Sequence, residues 1–168
     1  MIQKKICMVG SFAVGKTSLV TRFVKSIFSE KYLTTVGVKI DKKTVEVDGK
    51  PVNLMLWDLY GEDEFQKIQM SYLRGSSGYF LVVDGTRKET LDKAMALRKR
   101  VAAAVGPVPH LMLFNKADLS DQWEIDLPAL KKHLKGAIPV GVTSAKTGQG
   151  VEAAFLDLAR RMLDVTGK

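Results

Sequence analysis

Cysteine is nearly absent from this sequence. Cys7 stands alone among 168 residues, so no internal disulfide can form, and its place in an apolar strand predicts a buried, inert thiol. No apolar run approaches the roughly 20 residues a membrane-spanning helix needs. Nor does a basic segment followed by an apolar stretch and a small-residue cleavage site open the chain, because Met1 to Ile6 already reads as strand. A reducing, cytoplasmic setting is the expectation. Basic residues never gather into a block of about five or more. The net charge of +8 is spread over Lys4/Lys5, Lys42/Lys43, Arg98/Lys99/Arg100, Lys131/Lys132 and Arg160/Arg161, which predicts a solvated basic surface and no specific nucleic-acid partner. The two histidines, His110 and His133, stand in no metal-ligand spacing. Repeats, low-complexity tracts and long linkers are also missing, so residues 1–168 are read as one domain. With 46% hydrophobic and 26% charged residues, such a domain closes a core without disulfides or a structural metal.

What is present alternates. Short β-rich runs and amphipathic stretches follow each other from end to end, the pattern of an α/β sheet with helices on both faces. Strands are predicted at Ile2 to Val9, Val38 to Val47, Val52 to Asp58, Gly78 to Asp84, His110 to Asn115 and Ile138 to Val142. Asp48-Gly49 is suited to a hairpin turn, so the second and third strands should pair antiparallel. The last three are mostly apolar, as parallel strands buried on both faces require. Leu91, Ala94, Met95, Val101, Ala102 and Val105 lie at helical spacing, stopped by Gly106-Pro107. Val151, Ala154, Phe155, Leu158 and Met162 form a second such stripe. Both are read as core, as is Trp57. Ser26 to Gly37 is the connection of most unusual composition and is read as functional.

Gly10-Ser11-Phe12-Ala13-Val14-Gly15-Lys16-Thr17 fits G-x-x-x-x-G-K-S/T, and it stands after a strand and at the opening of a helix. Glycines let backbone N–H groups turn around phosphate oxygens, and the helix N-terminus adds positive dipole. Lys16 reaches the β/γ-phosphates and the Thr17 hydroxyl ligates Mg²⁺. Asn115-Lys116-Ala117-Asp118 follows the fifth strand. A carboxylate at Asp118 can accept two hydrogen bonds from guanine's ring N–H and amino group, a pair of donors that adenine does not offer. Lys116 can lay its aliphatic stem over the base, and Ser144-Ala145-Lys146 can supply a backbone N–H to the guanine oxygen together with a second stem. Both segments end strands, where open α/β sheets bind ligands.

From its first strand to its last helix the chain resembles the small GTPases of the Ras superfamily, most closely the Rab-like members. Thr34-Thr35-Val36-Gly37 looks like their first switch, and Trp57-Asp58-Leu59-Tyr60-Gly61-Glu62 looks like their second. The resemblance implies the P-loop NTPase fold of a Ras-like G domain: a six-stranded, mostly parallel sheet in the order 2-3-1-4-5-6 with about five helices on both faces. It implies GTP or GDP held by Ala13, Val14, Gly15, Lys16, Thr17, Ser18, Phe28, Asn115, Lys116, Asp118, Ser144, Ala145 and Lys146. Mg²⁺ would be held by Thr17 and Asp58, joined by Thr35 in the GTP state. Hydrolysis would rest on Lys16, Thr35, Gly61 and Glu62, with Gly61 offering its N–H to the γ-phosphate. Protein effectors, an exchange factor and a GTPase-activating protein would read the switch loops at 27–37 and 58–74.

Four positions depart from that family: Phe12, Leu59, Tyr60 and Glu62. Around the second switch the family pattern is Asp-Thr-Ala-Gly-Gln, whereas Glu62 stands here in place of the water-orienting glutamine and Tyr60 in place of a small residue. Phe12 is bulky where relatives carry something small, and its ring would obstruct an arginine supplied by an activating protein. Thr166-Gly167-Lys168 has no long tail or terminal cysteines after it, so no lipid anchor is expected in this chain. Besides a GTP-hydrolysing switch, two readings therefore stay open: a GTP-holding interaction module with negligible hydrolysis, and an RNA- or ribosome-associated GTPase suggested by the positive charge.

Overall fold

The computed structural model describes residues 2–25, 37–60 and 71–166. Its strands are β1 (Ile2–Gly10), β2 (Gly37–Val47), β3 (Lys50–Tyr60), β4 (Gly78–Asp84), β5 (His110–Asn115) and β6 (Val140–Val142). Its α-helices are α1 (Lys16–Lys25), α2 (Glu89–Val105), α3 (Leu127–Leu134) and α4 (Val151–Thr166), joined by a 3₁₀ helix at Ala117–Gln122. The six strands form one sheet in the order β2-β3-β1-β4-β5-β6. Only the β2–β3 pair is antiparallel, and its hairpin is the Asp48-Gly49 turn, with φ of 50° and 81° at the two central residues. Positive φ at both positions matches the right-handed twist of the flanking strands.

Alternation along each strand divides the core in two, since successive side chains point to opposite faces. Ile6, Met8, Leu54, Leu56, Phe80, Val82, Leu111 and Leu113 meet α1 and α4 on one face. Cys7, Val9, Tyr79, Leu81, Val83, Met112 and Phe114 meet α2 and α3 on the other. Both faces of β4 are covered, and all of its residues are buried, as its unbroken apolar run requires. Cys7 is fully buried, in line with its strand position.

β1, β2 and β3 run one or two residues past their predicted ends, and two further details differ from the sequence reading. Ala102 is exposed and Leu97 is buried, because Ala94, Leu97 and Val101 are the positions that α2 turns toward the sheet, and Ala102 lies about 100° further round. β6 starts at Val140, not Ile138, since Pro139 has no N–H to give the ladder, although its carbonyl accepts from Met112 N–H at 2.9 Å. Trp57 is half-buried at the margin of the core, with Lys5 Nζ 3.7 Å from its ring centroid and Tyr72 beside it.

Because β1, β3, β4, β5 and β6 run parallel, their carboxyl ends share one edge of the sheet. That edge brings Gly10, Asp58, Asp84, Asn115 and the segment after Val142 together. The far side of the core depends on Phe155, which stacks on Phe23 at 4.0 Å and meets Phe80 edge-on at 4.8 Å. Phe155→Ala should lower the unfolding free energy by about 3–5 kcal/mol in equilibrium urea denaturation, with Phe155→Leu falling well short of that loss.

Candidate functional site

A loop that offers N–H groups to an anion must find partners for its carbonyls. Each carbonyl from Gly10 to Gly15 has one. Lys16 Nζ folds back to Gly10 O at 2.7 Å and Ser11 O at 3.3 Å. Arg87 Nη2 donates to Phe12 O at 2.8 Å, Lys116 Nζ to Ala13 O at 3.3 Å and Asn115 Nδ2 to Val14 O at 3.0 Å. Leu19 N–H, in the first turns of α1, takes Gly15 O at 2.9 Å. In planar trans peptides the N–H lies opposite the preceding C=O. The Ala13, Val14 and Gly15 N–H groups are therefore turned away from the residues that grip the carbonyls. Gly15 must be glycine here, since its φ is 106° and a Cβ would come within 2.2 Å of Asn115 Nδ2.

Asn115 is the buried joint of the site. While its amide N–H reaches the loop, its Oδ1 accepts from Thr143 Oγ1 at 3.1 Å and from Ala145 N–H at 3.3 Å. Lys116 takes a left-handed conformation, φ 74°, and Trp123 Nε1 holds its carbonyl at 2.9 Å. The Lys116 stem thus runs from the end of β5 to the loop after β1. Asp118 Oδ1 accepts from Ser144 Oγ at 2.7 Å, so the segments that follow β5 and β6 are tied to each other. Arg22 Nε and Nη2 hold the carbonyls of Ala145 and Lys146 at 2.8 and 2.5 Å. By the same peptide geometry the Lys146 N–H faces away from Arg22.

Thr17 Oγ1 donates to Asp58 Oδ2 at 2.5 Å across the gap between α1 and β3. Asp58 is 1% exposed, and its Oδ1 has no hydrogen-bond partner among the described residues. Burial pushes this carboxyl above its ordinary range, and the Thr17 hydrogen bond and Lys16 charge offset that only in part. A buried carboxylate oxygen without a partner among the described residues, the Thr17 hydroxyl beside it and burial that disfavours an uncompensated negative charge fit a hard divalent cation such as Mg²⁺. The site residues Phe28, Thr35, Gly61 and Glu62 lie outside the described residues. Ser18 is on the first turn of α1. Neither histidine belongs to the site: His133 is exposed, and His110 stacks on Tyr79 at 4.8 Å and accepts from Arg98.

A family model for the Ras family matches residues 5–164. The chain belongs to the Ras family. Its relatives include the GTP-binding protein YPT1 of Saccharomyces cerevisiae, 36% identical over 94% of this chain and 78% of that protein. The Ras-related protein Rab-8B of Homo sapiens is 34% identical over 95% of this chain and 78% of its own length. The Ras-related protein Rab-4 of Dictyostelium discoideum is 35% identical over the same two shares. This chain is thus a Rab-like member of the family, and the Ras-like sheet order agrees.

Sequence motifs in this Ras-family chain did not point to Arg22, Asp84, Arg87, Trp123 or Thr143, all of which act from outside the motif strings. The only signal available for Asp84 was a carboxylate ending an otherwise apolar strand. Asp84 is 1% exposed and accepts four donors: Thr86 N–H and Oγ1 on Oδ1, and Arg87 Nε at 3.0 Å and Lys116 Nζ at 2.8 Å on Oδ2. Burial alone would raise its pKa, but the bonds from Lys116, Thr86 and Arg87 outweigh it and hold the carboxyl below its ordinary 3.8. A depressed folded pKa stabilises the fold above the unfolded value, and that contribution is lost as pH falls through the folded value. Asp84→Asn should accordingly melt earlier than wild type at neutral pH, and the gap should close as the pH is taken below that 3.8. Melting temperatures recorded against pH check this; a gap that stays constant would remove the charge from the explanation.

Proposed function

We propose that this chain is a switch protein that binds guanine nucleotide with Mg²⁺ and hydrolyses GTP to GDP and phosphate. The observation that carries the reading is that base and phosphate recognition form one hydrogen-bonded unit. Asn115 and Lys116 both donate to the phosphate loop, and Asp118 is held against Ser144 only two positions further along. Thr17 and Asp58 would hold the metal, which when bound neutralises phosphate charge. Lys16 would move from the loop carbonyls toward phosphate oxygen, and Glu62 would accept a hydrogen bond from the attacking water.

The switching surface follows from where the strands end. β2 and β3 are in register up to Gly37 opposite Tyr60, so the strand ends that border segments 27–37 and 58–74 are adjacent. Lys5 Nζ holds the backbone of the second at Tyr72 O and Arg74 O, at 2.5 and 2.8 Å. Ile40, 46% exposed, lies opposite Trp57 on the neighbouring strand and gives effectors, exchange factor and activating protein an apolar foothold beside both loops. Thr35 and Gly61 would tether the loops to the γ-phosphate and release them when it leaves.

Identifying the nucleotide that copurifies with the protein, and following its turnover with Mg²⁺, tests binding, base choice and hydrolysis together. Asp118→Asn should weaken GTP binding by about 2 kcal/mol or more and admit xanthosine nucleotide, because an amide can donate where a carboxylate cannot. Unchanged GTP affinity in a competition titration would remove Asp118 from the base site. Glu62→Ala should slow single-turnover hydrolysis about tenfold or more with nucleotide affinity intact, whereas Glu62→Gln keeps much of the rate. Equal slow hydrolysis by wild type and Glu62→Ala would favour a module that holds GTP without turning it over.

A further inference from the structure

The carbonyl grip on the phosphate loop uses one side chain that no loop or base motif contains. Arg87, in the connection between β4 and α2, spans two partners with one planar fork: Nε on Asp84 Oδ2 at 3.0 Å and Nη2 on Phe12 O at 2.8 Å. The same Asp84 oxygen receives Lys116 Nζ, which also reaches the carbonyl of Ala13. Two cations thus converge on one buried carboxylate and hold two consecutive loop carbonyls. Within this cluster of three the net charge is +1, and Glu89, exposed, faces Arg87 Nη1 from 3.9 Å.

We propose that Arg87 is a positioning residue for phosphate binding, and that Asp84 is the node that couples the base-reading segment to the phosphate loop. A charged donor on the Phe12 carbonyl polarises the Phe12–Ala13 peptide, so the Ala13 N–H on the opposite side becomes a stronger donor to phosphate oxygen. It also fixes the orientation of that peptide, where Ala13 sits at a φ of 62°, a left-handed conformation that a non-glycine residue holds only against resistance. Lys116 does the same for the next peptide while its backbone leads directly to Asp118. Loss or gain of base contacts is thereby felt at the loop through Lys116, Asp84 and Arg87. An arginine is needed because a lysine carries the charge but cannot reach both acceptors with one rigid group.

The inference rests on guanine-nucleotide binding as proposed above, and the test separates the two. Affinities for guanosine diphosphate and guanosine monophosphate are measured by competition for wild type, Arg87→Ala and Arg87→Lys, with melting temperatures of the nucleotide-free proteins and phosphorus NMR of the bound diphosphate. At 36% exposure of the Arg87 side chain, Arg87→Ala should weaken the diphosphate about tenfold, the monophosphate clearly less, and shift the β-phosphorus resonance. Arg87→Lys should recover part of the loss. Equal weakening of both nucleotides with an unmoved resonance would make Arg87 a general brace, and unchanged diphosphate affinity in Arg87→Ala would make it a bystander; either overturns the coupling. Wild-type protein that binds no guanosine diphosphate would sink the nucleotide reading and the coupling with it.

Discussion

The planarity of the peptide group governs this site. A loop can turn consecutive N–H groups toward one point only if the carbonyls, pointing the other way, are satisfied elsewhere. Between Gly10 and Gly15 that requirement is met by donors from Lys16, Arg87, Lys116, Asn115 and Leu19, belonging to α1, β5 and the ends of β4 and β5. The sheet order is what makes this possible. With β1 beside β4 and β4 beside β5, the loop after β1 lies within reach of side chains from residues 87, 115 and 116. An order that took β4 and β5 away from β1 would leave the carbonyls of Phe12, Ala13 and Val14 without donors.

Two buried carboxylates at this edge show how environment sets role. Asp84, at the end of β4, and Asp58, near the end of β3, flank β1 from either side and are equally hidden from solvent. Asp84 accepts four donors, two of them cationic, and is held ionised as part of the scaffold. Asp58 has a single hydroxyl donor, and burial pushes its pKa up. The difference in supplied positive charge makes the first a strut and the second the candidate metal ligand, even though both read in sequence as a carboxylate at a strand end.

Rigidity is distributed to match. Asn115 ties the phosphate loop to Thr143 and Ala145, and Ser144 ties Asp118 to the same segment, so three loops from three strands behave as one body. The described borders of the two remaining segments, before β2 and after β3, are fixed by the β2–β3 register and by Lys5 on the carbonyls of Tyr72 and Arg74.

Much of this was legible in the residue string, because periodicity and turn chemistry are local. Continuous apolar runs marked β4 and β5, Asp48-Gly49 marked the hairpin, Gly106 marked the end of α2, and the phosphate-loop and Asn115-Lys116-Ala117-Asp118 strings marked the two halves of the candidate site. Resemblance to the Ras superfamily supplied the strand order, which no local pattern contains. Ala102 was misplaced and Leu97 passed over because a helical stripe broad enough to include both does not say which side meets the sheet. Arg22, Asp84 and Arg87 were invisible for a stronger reason: their partners are 123, 32 and 75 positions away, at Ala145, Lys116 and Phe12. Sequence thus determined which segments could hold phosphate and base. The tertiary structure alone decided which side chains close the unfilled hydrogen bonds behind them, because those bonds join atoms that only folding brings within 3 Å or so.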